Sequence, residues 1–137
     1  MIGRNPYRAL ERALGYRFRR KRWLEQAITH PSYAHEQPDL VPDNQRMEFL
    51  GDAALGLVAA ARLFEANPSA AEGTLTKMRS LITSTKALAE VATRIDLGAH
   101  LRLGRGEERG GGRIRASILA DAFEAVLGAA YLDGGLK

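Results

Sequence analysis

The sequence of 137 residues contains no cysteine, which excludes a disulfide scaffold, a thiolate metal site and a cysteine nucleophile. It also lacks a run of about 18 uncharged apolar residues, the length that a membrane-spanning helix needs, and its first residues do not resemble a signal peptide. These absences predict a cytoplasmic protein with no membrane partner. Convincing strand alternation and internal repeats are missing as well.

The composition is that of a folded chain with an excess of arginine. Apolar residues make up 45% and charged residues 26% of the sequence, which excludes a disordered or fibrous protein. The length predicts a single domain over residues 1–137. The net charge is +4, and 16 of the 20 basic residues are arginine, whose planar guanidinium matches phosphate. Nucleic acid is therefore a candidate partner, although composition alone is a weak indication.

Apolar residues recur at helical spacing along nearly the whole chain, so the predicted fold class is all-α. The predicted helices, bounded by prolines, glycines and capping residues, span residues 6–14, 23–28, 44–65, 74–84, 85–95 and 115–132. Residues 31–44 contain three prolines and are predicted to form an ordered loop. Residues 98–112 contain six glycines and are predicted to form a flexible loop.

Two of the predicted helices are apolar nearly all round, which is typical of helices buried on several sides. Each nevertheless carries a pair of acids on one face: Glu48 and Asp52 at i,i+4 spacing in the first, and Asp121 and Glu124 at i,i+3 spacing in the second. Burying such carboxylates costs several kcal/mol unless something compensates their charge. These four acids are therefore the candidate functional residues.

Two explanations of the acids remain open at this point. The pairs could be salt-bridged, for example by Arg46, Lys77 or Arg79, or could face solvent along a narrow stripe. Alternatively, the four carboxylates could hold a divalent cation, for which oxygen ligands without cysteine suit Mg²⁺ or Mn²⁺. A ferritin-type di-iron site is disfavoured because no Glu-x-x-His motif occurs.

The segment around the first acid pair resembles a family signature. Residues 44–53, NQRMEFLGDA, resemble the ribonuclease III signature NERLEFLGDA. Further segments match in the same order along the chain: AITHPSY at 27–33, EGTLTKMR at 72–79, LGRGEE at 103–108, SILADAFEA at 117–125 and YLDGG at 131–135. Several motifs in the right order across residues 7–136 make the resemblance specific.

The resemblance implies an all-helical endonuclease domain that forms a homodimer and cleaves double-stranded RNA. In the family, the acids matching Glu48, Asp52, Asp121 and Glu124 form one Mg²⁺ site per subunit, which Mn²⁺ can also occupy. The implied products carry 5′-phosphate and 3′-hydroxyl ends, and two sites cut the two strands with a stagger. No double-stranded-RNA-binding domain is expected within these residues, so the chain is either part of a longer protein or a minimal member.

Three further positions have roles implied by the resemblance. Phe49 matches an aromatic residue that inserts into a pocket of the partner subunit, although helical periodicity alone favours a core position. Glu72 matches an acid near the family site, but Ser69-x-x-Glu72 also fits a capping box. Gln45 stands where the family has glutamate. This departure puts in doubt whether the position supports the metal site or contacts RNA as it does in the family.

Two arginine-rich segments are candidate RNA contacts, with a solvated basic surface as the alternative for each. Their members are Arg17, Arg19 and Arg20 in the first segment and Arg105, Arg109 and Arg113 in the second. Duplex RNA is recognised mainly through phosphates and 2′-hydroxyls. Two other functions compete with the duplex-RNA endonuclease: an inert RNA-binding or assembly module, and a minimal nuclease of ribosomal-RNA maturation.

Overall fold

In the computed structural model, which describes residues 5–136, every regular element is helical, as predicted. The α-helices are α1 (Arg8–Leu14), α2 (Lys21–Ala27), α3 (Pro31–Glu36), α4 (Gln45–Ala66), α5 (Glu72–Ile82), α6 (Thr85–Arg94), α7 (Arg105–Arg109) and α8 (Ala116–Gly134). Two short 3₁₀ helices span Leu97–His100 and Gly112–Ile114. Within residues 5–136, no helix combines the length and apolarity that crossing a bilayer requires.

Two sequence predictions about loops are wrong. Residues 31–44 are not a loop throughout, because α3 begins at Pro31, where the missing amide hydrogen costs nothing. The side chain of His30 caps this helix by accepting a hydrogen bond from the amide of Ser32. The glycine-rich stretch 98–112 is likewise ordered, since it contains α7 and parts of both 3₁₀ helices.

The last helix, α8, forms the centre of the core. It packs against α4, α6 and α2, and one side chain after another along it is buried, including Ile118, Leu119 and Val126. Leu10 of α1 and Leu24 of α2 complete the same hydrophobic cluster. The prediction that α8 is buried on several sides is therefore confirmed.

The other apolar helix, α4, behaves differently. One of its faces packs on α8, but Phe49, Leu57 and Phe64 on another face are 81%, 57% and 71% exposed. The prediction that α4 is buried on several sides is wrong, and so is the core position of Phe49 that helical periodicity alone favoured. An apolar helix face of this length left in solvent is typical of an interaction surface.

Glycines allow α4 and α8 to approach closely. A Cβ atom on Gly51 would overlap the carbonyl oxygen of Glu124, and one on Gly128 would overlap that of Met47. The residue pairs in contact run in opposite directions along the two helices, so the helices are antiparallel. This backbone-to-backbone contact fixes the distance between the side chains that the two helices carry.

A buried carboxylate ties the end of α8 to the loop before α2. Asp133 accepts hydrogen bonds from the hydroxyl of Tyr16 at 2.7 Å and from the amides of Arg19 and Arg20 at 2.9 and 3.0 Å. Burial acts to raise the pKa of Asp133, but these donors outweigh it and hold the pKa below its usual value. The arginine-bearing loop is thereby anchored to the core helix.

Candidate active site

The acids of the two apolar helices meet at the glycine contact between α4 and α8. Carboxylate oxygens of Glu48, Asp121 and Glu124 all lie within 4.8 Å of one another. Glu48 and Glu124 are partly buried, whereas Asp121 is exposed. Side chains separated by more than seventy positions in sequence therefore form one acid cluster.

Asp52 lies at the edge of this cluster. It is exposed, and its carboxylate lies beside that of Glu124 rather than within the group of three. The structure therefore gathers all four predicted acids in one place but gives them unequal surroundings. We refer to the four residues Glu48, Asp52, Asp121 and Glu124 as the acid cluster.

Burial and mutual repulsion keep protons on the cluster. Burial, a hydrogen bond to Asp52 and the charges of the other acids raise the pKa of Glu124 to about 8. Burial and the neighbouring Asp121 raise the pKa of Glu48, and burial also raises the pKa of Asp121. A protonated Glu48 donates to Asp121 and a protonated Glu124 donates to Asp52, so both hydrogen bonds join α4 to α8.

No arginine or lysine compensates the cluster. Among residues 5–136, the four acids form no ion pair with a basic side chain within 4.0 Å, and neither do the suggested partners Arg46, Lys77 and Arg79. The salt-bridge explanation is therefore wrong for this part of the chain. Oxygen ligands so close together without a basic partner form a set that a divalent cation can bind.

His30, which sequence reasoning did not assign to the site, lies near the cluster. A positive charge on His30 lowers the pKa of Asp121, opposing the effect of burial. The amide of Ser32 donates to Nδ1 of His30 at 3.0 Å, so the neutral ring carries its proton on Nε2. The hydroxyl of Ser32 in turn accepts from the amide of Gly104 at 2.8 Å. The THPS segment was the available signal, but nothing in its spacing placed the ring beside Asp121.

A family model described as Ribonuclease-III-like matches residues 20–137. The chain belongs to this family. All of the acid cluster and both glycines of the helix contact lie within the matched residues.

Individual relatives agree with this classification. The chain is 49% identical over 128 residues to Ribonuclease 3 of Geobacter sulfurreducens, covering 93% of this chain and 52% of that protein. It is 52% identical over 127 residues to Ribonuclease 3 of Streptomyces coelicolor, covering 93% and 45%. The chain therefore spans about half the length of the curated ribonuclease III relatives it matches.

Solved structures show the same fold. The nuclease domain of the ribonuclease III of Campylobacter jejuni superposes with a TM-score of 0.88 at 38% identity, covering 95% of this chain and 87% of that one. That structure is described for flexibility in a region involved in dimer formation. A second structure of the same nuclease domain gives the same TM-score and covers 97% of this chain. The ribonuclease III nuclease fold that the resemblance implied is confirmed.

Phe49 borders a cavity of about 1130 Å³ on the surface of this ribonuclease III domain. Trp23, Val41 and Leu132 contribute to its lining, and Gln45 lines it as well. Gln45 is the first residue of α4 and is exposed. Its backbone amide donates a hydrogen bond to Oδ1 of Asp43 at 3.0 Å. The structure therefore associates Gln45 with the cavity beside Phe49.

Glu72 does not form the capping box that its sequence context suggested. The helix α5 begins at Glu72 itself, with Ala71 in the capping position and no side-chain cap. The exposed carboxylate instead accepts a hydrogen bond from the hydroxyl of Thr76 at 2.9 Å. A supporting role of Glu72 in the site stays a prediction.

The predicted RNA-binding arginines divide into exposed and internally bonded side chains. Arg17 and Arg19 are exposed, and Arg20, which is half-exposed, donates to the carbonyl of Leu132 at 3.2 Å. The second segment places Arg105 and Arg109 on the exposed surface of α7.

Arg113 differs from the other predicted RNA contacts in that most of its guanidinium is bonded within the chain. Its Nη1 donates to the carbonyls of Gly98 and Leu101 at 2.9 and 2.6 Å, and its Nε donates to Glu108 at 2.9 Å. These bonds hold the first 3₁₀ helix. A role of Arg113 in RNA binding stays a prediction.

Proposed function

We propose that this chain is the nuclease domain of a Mg²⁺-dependent endoribonuclease that cuts double-stranded RNA as a homodimer. The acid cluster carries the proposal: two acids from each of two antiparallel helices converge without a basic partner among the described residues. Relatives named Ribonuclease 3 supply the reaction class.

The cluster fits a divalent cation by its chemistry. Burial raises the pKa values of Glu48, Asp121 and Glu124, and the charges of neighbouring acids add to this effect at Glu48 and Glu124. A bound cation would offset both the burial of the charges and their repulsion. The donor set consists of oxygen atoms only, which suits Mg²⁺, with Mn²⁺ as a substitute. When bound, such an ion would supply stabilisation of charge on the phosphate and activation of a water molecule.

The residues of the chain prepare and orient this reaction. Glu48 and Asp121 face each other across the helix contact and would hold the ion together with Glu124. Asp52 lies exposed beside Glu124, where it can accept a proton from an attacking water. The water oxygen forms a new bond to phosphorus as the bond from phosphorus to the 3′-oxygen breaks. The products are a 5′-phosphate and a 3′-hydroxyl.

The exposed face of α4 supports the homodimer. Phe49, Leu57 and Phe64 form an apolar stripe along α4, and the fifteen steps from Phe49 to Phe64 correspond to about 22 Å at 1.5 Å per residue. In an isologous dimer the same patch is used twice, so the partner subunit's Phe49 would enter the cavity beside this one. Two acid clusters in such a dimer would cut the two strands with a stagger.

RNA would be held by the exposed arginines near these elements. Arg17, Arg19 and Arg20 lie at the end of α8 that Asp133 anchors, and Arg105 and Arg109 lie on α7. Contacts of this kind go to phosphates and carry no sequence information. The proposed substrate is therefore duplex RNA recognised by shape, with binding that weakens as salt increases.

A cleavage assay tests the proposal. Long duplex RNA is incubated with the 137-residue chain in Mg²⁺ at low salt, beside Glu124→Gln and the control Glu90→Gln, an exposed acid on α6. We expect Glu124→Gln to lose about a hundredfold or more in rate, because each 1.4 kcal/mol of lost transition-state stabilisation is a factor of ten. Glu90→Gln retains wild-type activity.

A wild-type chain that does not cleave duplex RNA would contradict the proposal. If the wild-type chain binds duplex RNA as a dimer but leaves it intact in Mg²⁺ and in Mn²⁺, the nuclease proposal is wrong. The chain would then be an inert RNA-binding or assembly module. If both variants lose activity equally, the loss reflects the removal of one negative charge from the chain and not the position of Glu124 in the acid cluster.

A further inference from the structure

A second site of interest lies on the opposite end of the core helix from the acid cluster. A cavity of about 750 Å³ opens between α1 and the chain that follows it. Three arginines line it, Arg8, Arg12 and Arg17, together with Asn5, Glu11 and Tyr16. All three arginines are exposed, so their guanidinium groups are accessible to a ligand.

Local backbone geometry brings these arginines together. Arg8 and Arg12 are four residues apart on one face of α1. Gly15 then adopts a left-handed conformation with a φ of 72°, which ends the helix and lets Arg17 line the same cavity. Like charges at i,i+4 destabilise an isolated helix by a few tenths of a kcal/mol, and this arrangement adds a third positive charge.

The polar neighbours in the cavity do not neutralise the arginines. Glu11, the acid that lines it, accepts hydrogen bonds from Asn5 at 2.6 Å, from the amide of Phe18 at 2.7 Å and from Lys21 at 2.7 Å. Its charge is thus balanced by Lys21. Within residues 5–136, none of the three arginines forms an ion pair with an acid.

We propose that this cavity is a phosphate-binding site formed by Arg8, Arg12 and Arg17. Guanidinium groups bind phosphate oxygens through two parallel hydrogen bonds, and three of them match the negative charge of a phosphate better than any neutral ligand. The phosphate belongs either to the RNA backbone or to a free anion. The RNA assignment rests on the proposed function, whereas the phosphate chemistry does not.

The cavity is linked to the core helix at a point separate from the acid cluster. Tyr16, which lines the cavity, donates to Asp133, and Asp133 lies nine residues after Glu124 along α8. At about 1.5 Å per residue and about 3.6 residues per turn, Asp133 and Glu124 are about 14 Å apart along the helix axis and on opposite sides of α8. A phosphate held in the cavity would therefore occupy a site distinct from the acid cluster.

The first experiment detects the phosphate site directly. The Nε–H signals of the arginine side chains are followed by NMR during titration with inorganic phosphate and, separately, with a short RNA duplex in the absence of divalent ions. We expect the signals of Arg8, Arg12 and Arg17 to shift and saturate with phosphate. The signals of Arg62 and Arg94, exposed arginines on α4 and α6, remain unchanged.

The second experiment distinguishes the two sources of phosphate. Affinity for a long RNA duplex is measured against salt, without divalent ions, for Arg8→Gln/Arg12→Gln and for the charge-matched control Arg62→Gln/Arg94→Gln. If the phosphate is that of RNA, the first variant binds at least about threefold more weakly. For this variant, the slope of the logarithm of the binding constant against the logarithm of salt concentration becomes shallower by about 1, since each neutralised phosphate contributes about 0.9 to that slope. If the NMR signals saturate but RNA affinity is unchanged, the ligand is a free phosphate anion.

The site is overturned if none of the three arginine signals shifts with either ligand and the two double variants bind RNA equally. Thermal unfolding of each variant confirms that it is folded, and Arg8→Lys/Arg12→Lys tests whether charge without the planar guanidinium suffices. Absence of RNA cleavage by the wild-type chain would refute the proposed function. It would leave the phosphate titration as the test of this cavity.

Discussion

At the scale of single residues, the surroundings of the acid cluster favour a protonated Glu124. Glu124 has a pKa of about 8, so it is mostly protonated at neutral pH in the free protein, while Asp52 lies exposed beside it. Each protonated carboxyl group donates to a neighbour across the helix contact.

The raised pKa of Glu124 predicts how the stability of the folded chain depends on pH. The pKa of Glu124 is raised on folding, so the folded chain binds more protons than the unfolded chain between the usual glutamate pKa and about 8. The free energy of unfolding therefore decreases as pH rises through that window and levels off above it. Melting temperatures measured by circular dichroism from pH 5 to pH 9, without divalent ions, check this sign.

Glu124→Gln provides the matched variant, because glutamine resembles the protonated side chain at every pH. We expect a flatter pH profile for this variant and a melting temperature at pH 8 that is equal to or higher than that of the wild type. Mg²⁺ should raise the melting temperature of the wild type more at pH 8 than at pH 6. A wild-type profile that rises with pH across this window would contradict the assignment of a raised pKa.

At the scale of helices, the contact between α4 and α8 determines whether the acids can meet. Gly51 and Gly128 allow the backbones to touch, and the acid pairs lie immediately beside that contact. Any side chain at either glycine would push the helices apart. The separation of the carboxylates, and hence their ability to bind one cation, would change with it.

A pair of glycine substitutions tests this dependence. Gly128→Ala should lower the free energy of unfolding by about 1–3 kcal/mol, as overpacked core positions do, and should weaken Mn²⁺ binding measured by electron paramagnetic resonance. Gly56→Ala is the control, since a Cβ there meets no atom within 4 Å. In the middle of α4 it should stabilise the chain by about 0.5–1 kcal/mol. Equal effects of both substitutions in urea unfolding would refute the role of the contact.

At the scale of the whole molecule, the chain exposes an apolar stripe that a single copy does not cover. Phe49 projects into solvent beside a cavity of about 1130 Å³, and the apolar stripe continues to Phe64 near the other end of α4. Exposed apolar surface of this extent is unusual on a monomer. The observation ties the assembly of the protein to the same helix that supplies Glu48 and Asp52.

Substitution of Phe49 tests the assembly. Phe49→Ala should shift the chain from dimer to monomer in analytical ultracentrifugation, with little change in the circular dichroism of the fold, because the ring is 81% exposed in the single chain. Ile114→Ala is the matched control, since Ile114 is 84% exposed but is the last residue of the second 3₁₀ helix and not part of α4. A wild-type chain that sediments as a monomer, or equal dissociation of both variants, would exclude this interface.

Much of this architecture was predictable from sequence. Helical periodicity predicted α4 and α8, and the acids within them stood out because charges are rare in such apolar helices. Periodicity could not show which face of α4 is left exposed, because the helix is apolar on nearly every side. Nor could it distinguish Arg113, whose bonds to Gly98 and Leu101 turn it inward, from the exposed Arg109. Three prolines concealed α3 because proline also occupies the first turn of a helix.

The two hydrogen bonds between acids that join α4 to α8 have one more consequence. One pairs Glu48 with Asp121 and the other pairs Glu124 with Asp52, so each connects the two helices when its glutamic acid is protonated. Because the pKa of Glu124 is about 8, a cation that binds this carboxylate near neutral pH would displace a proton, and the two helices would pass from one kind of cross-link to another. Occupancy of the site would therefore depend on acidity and on metal concentration together.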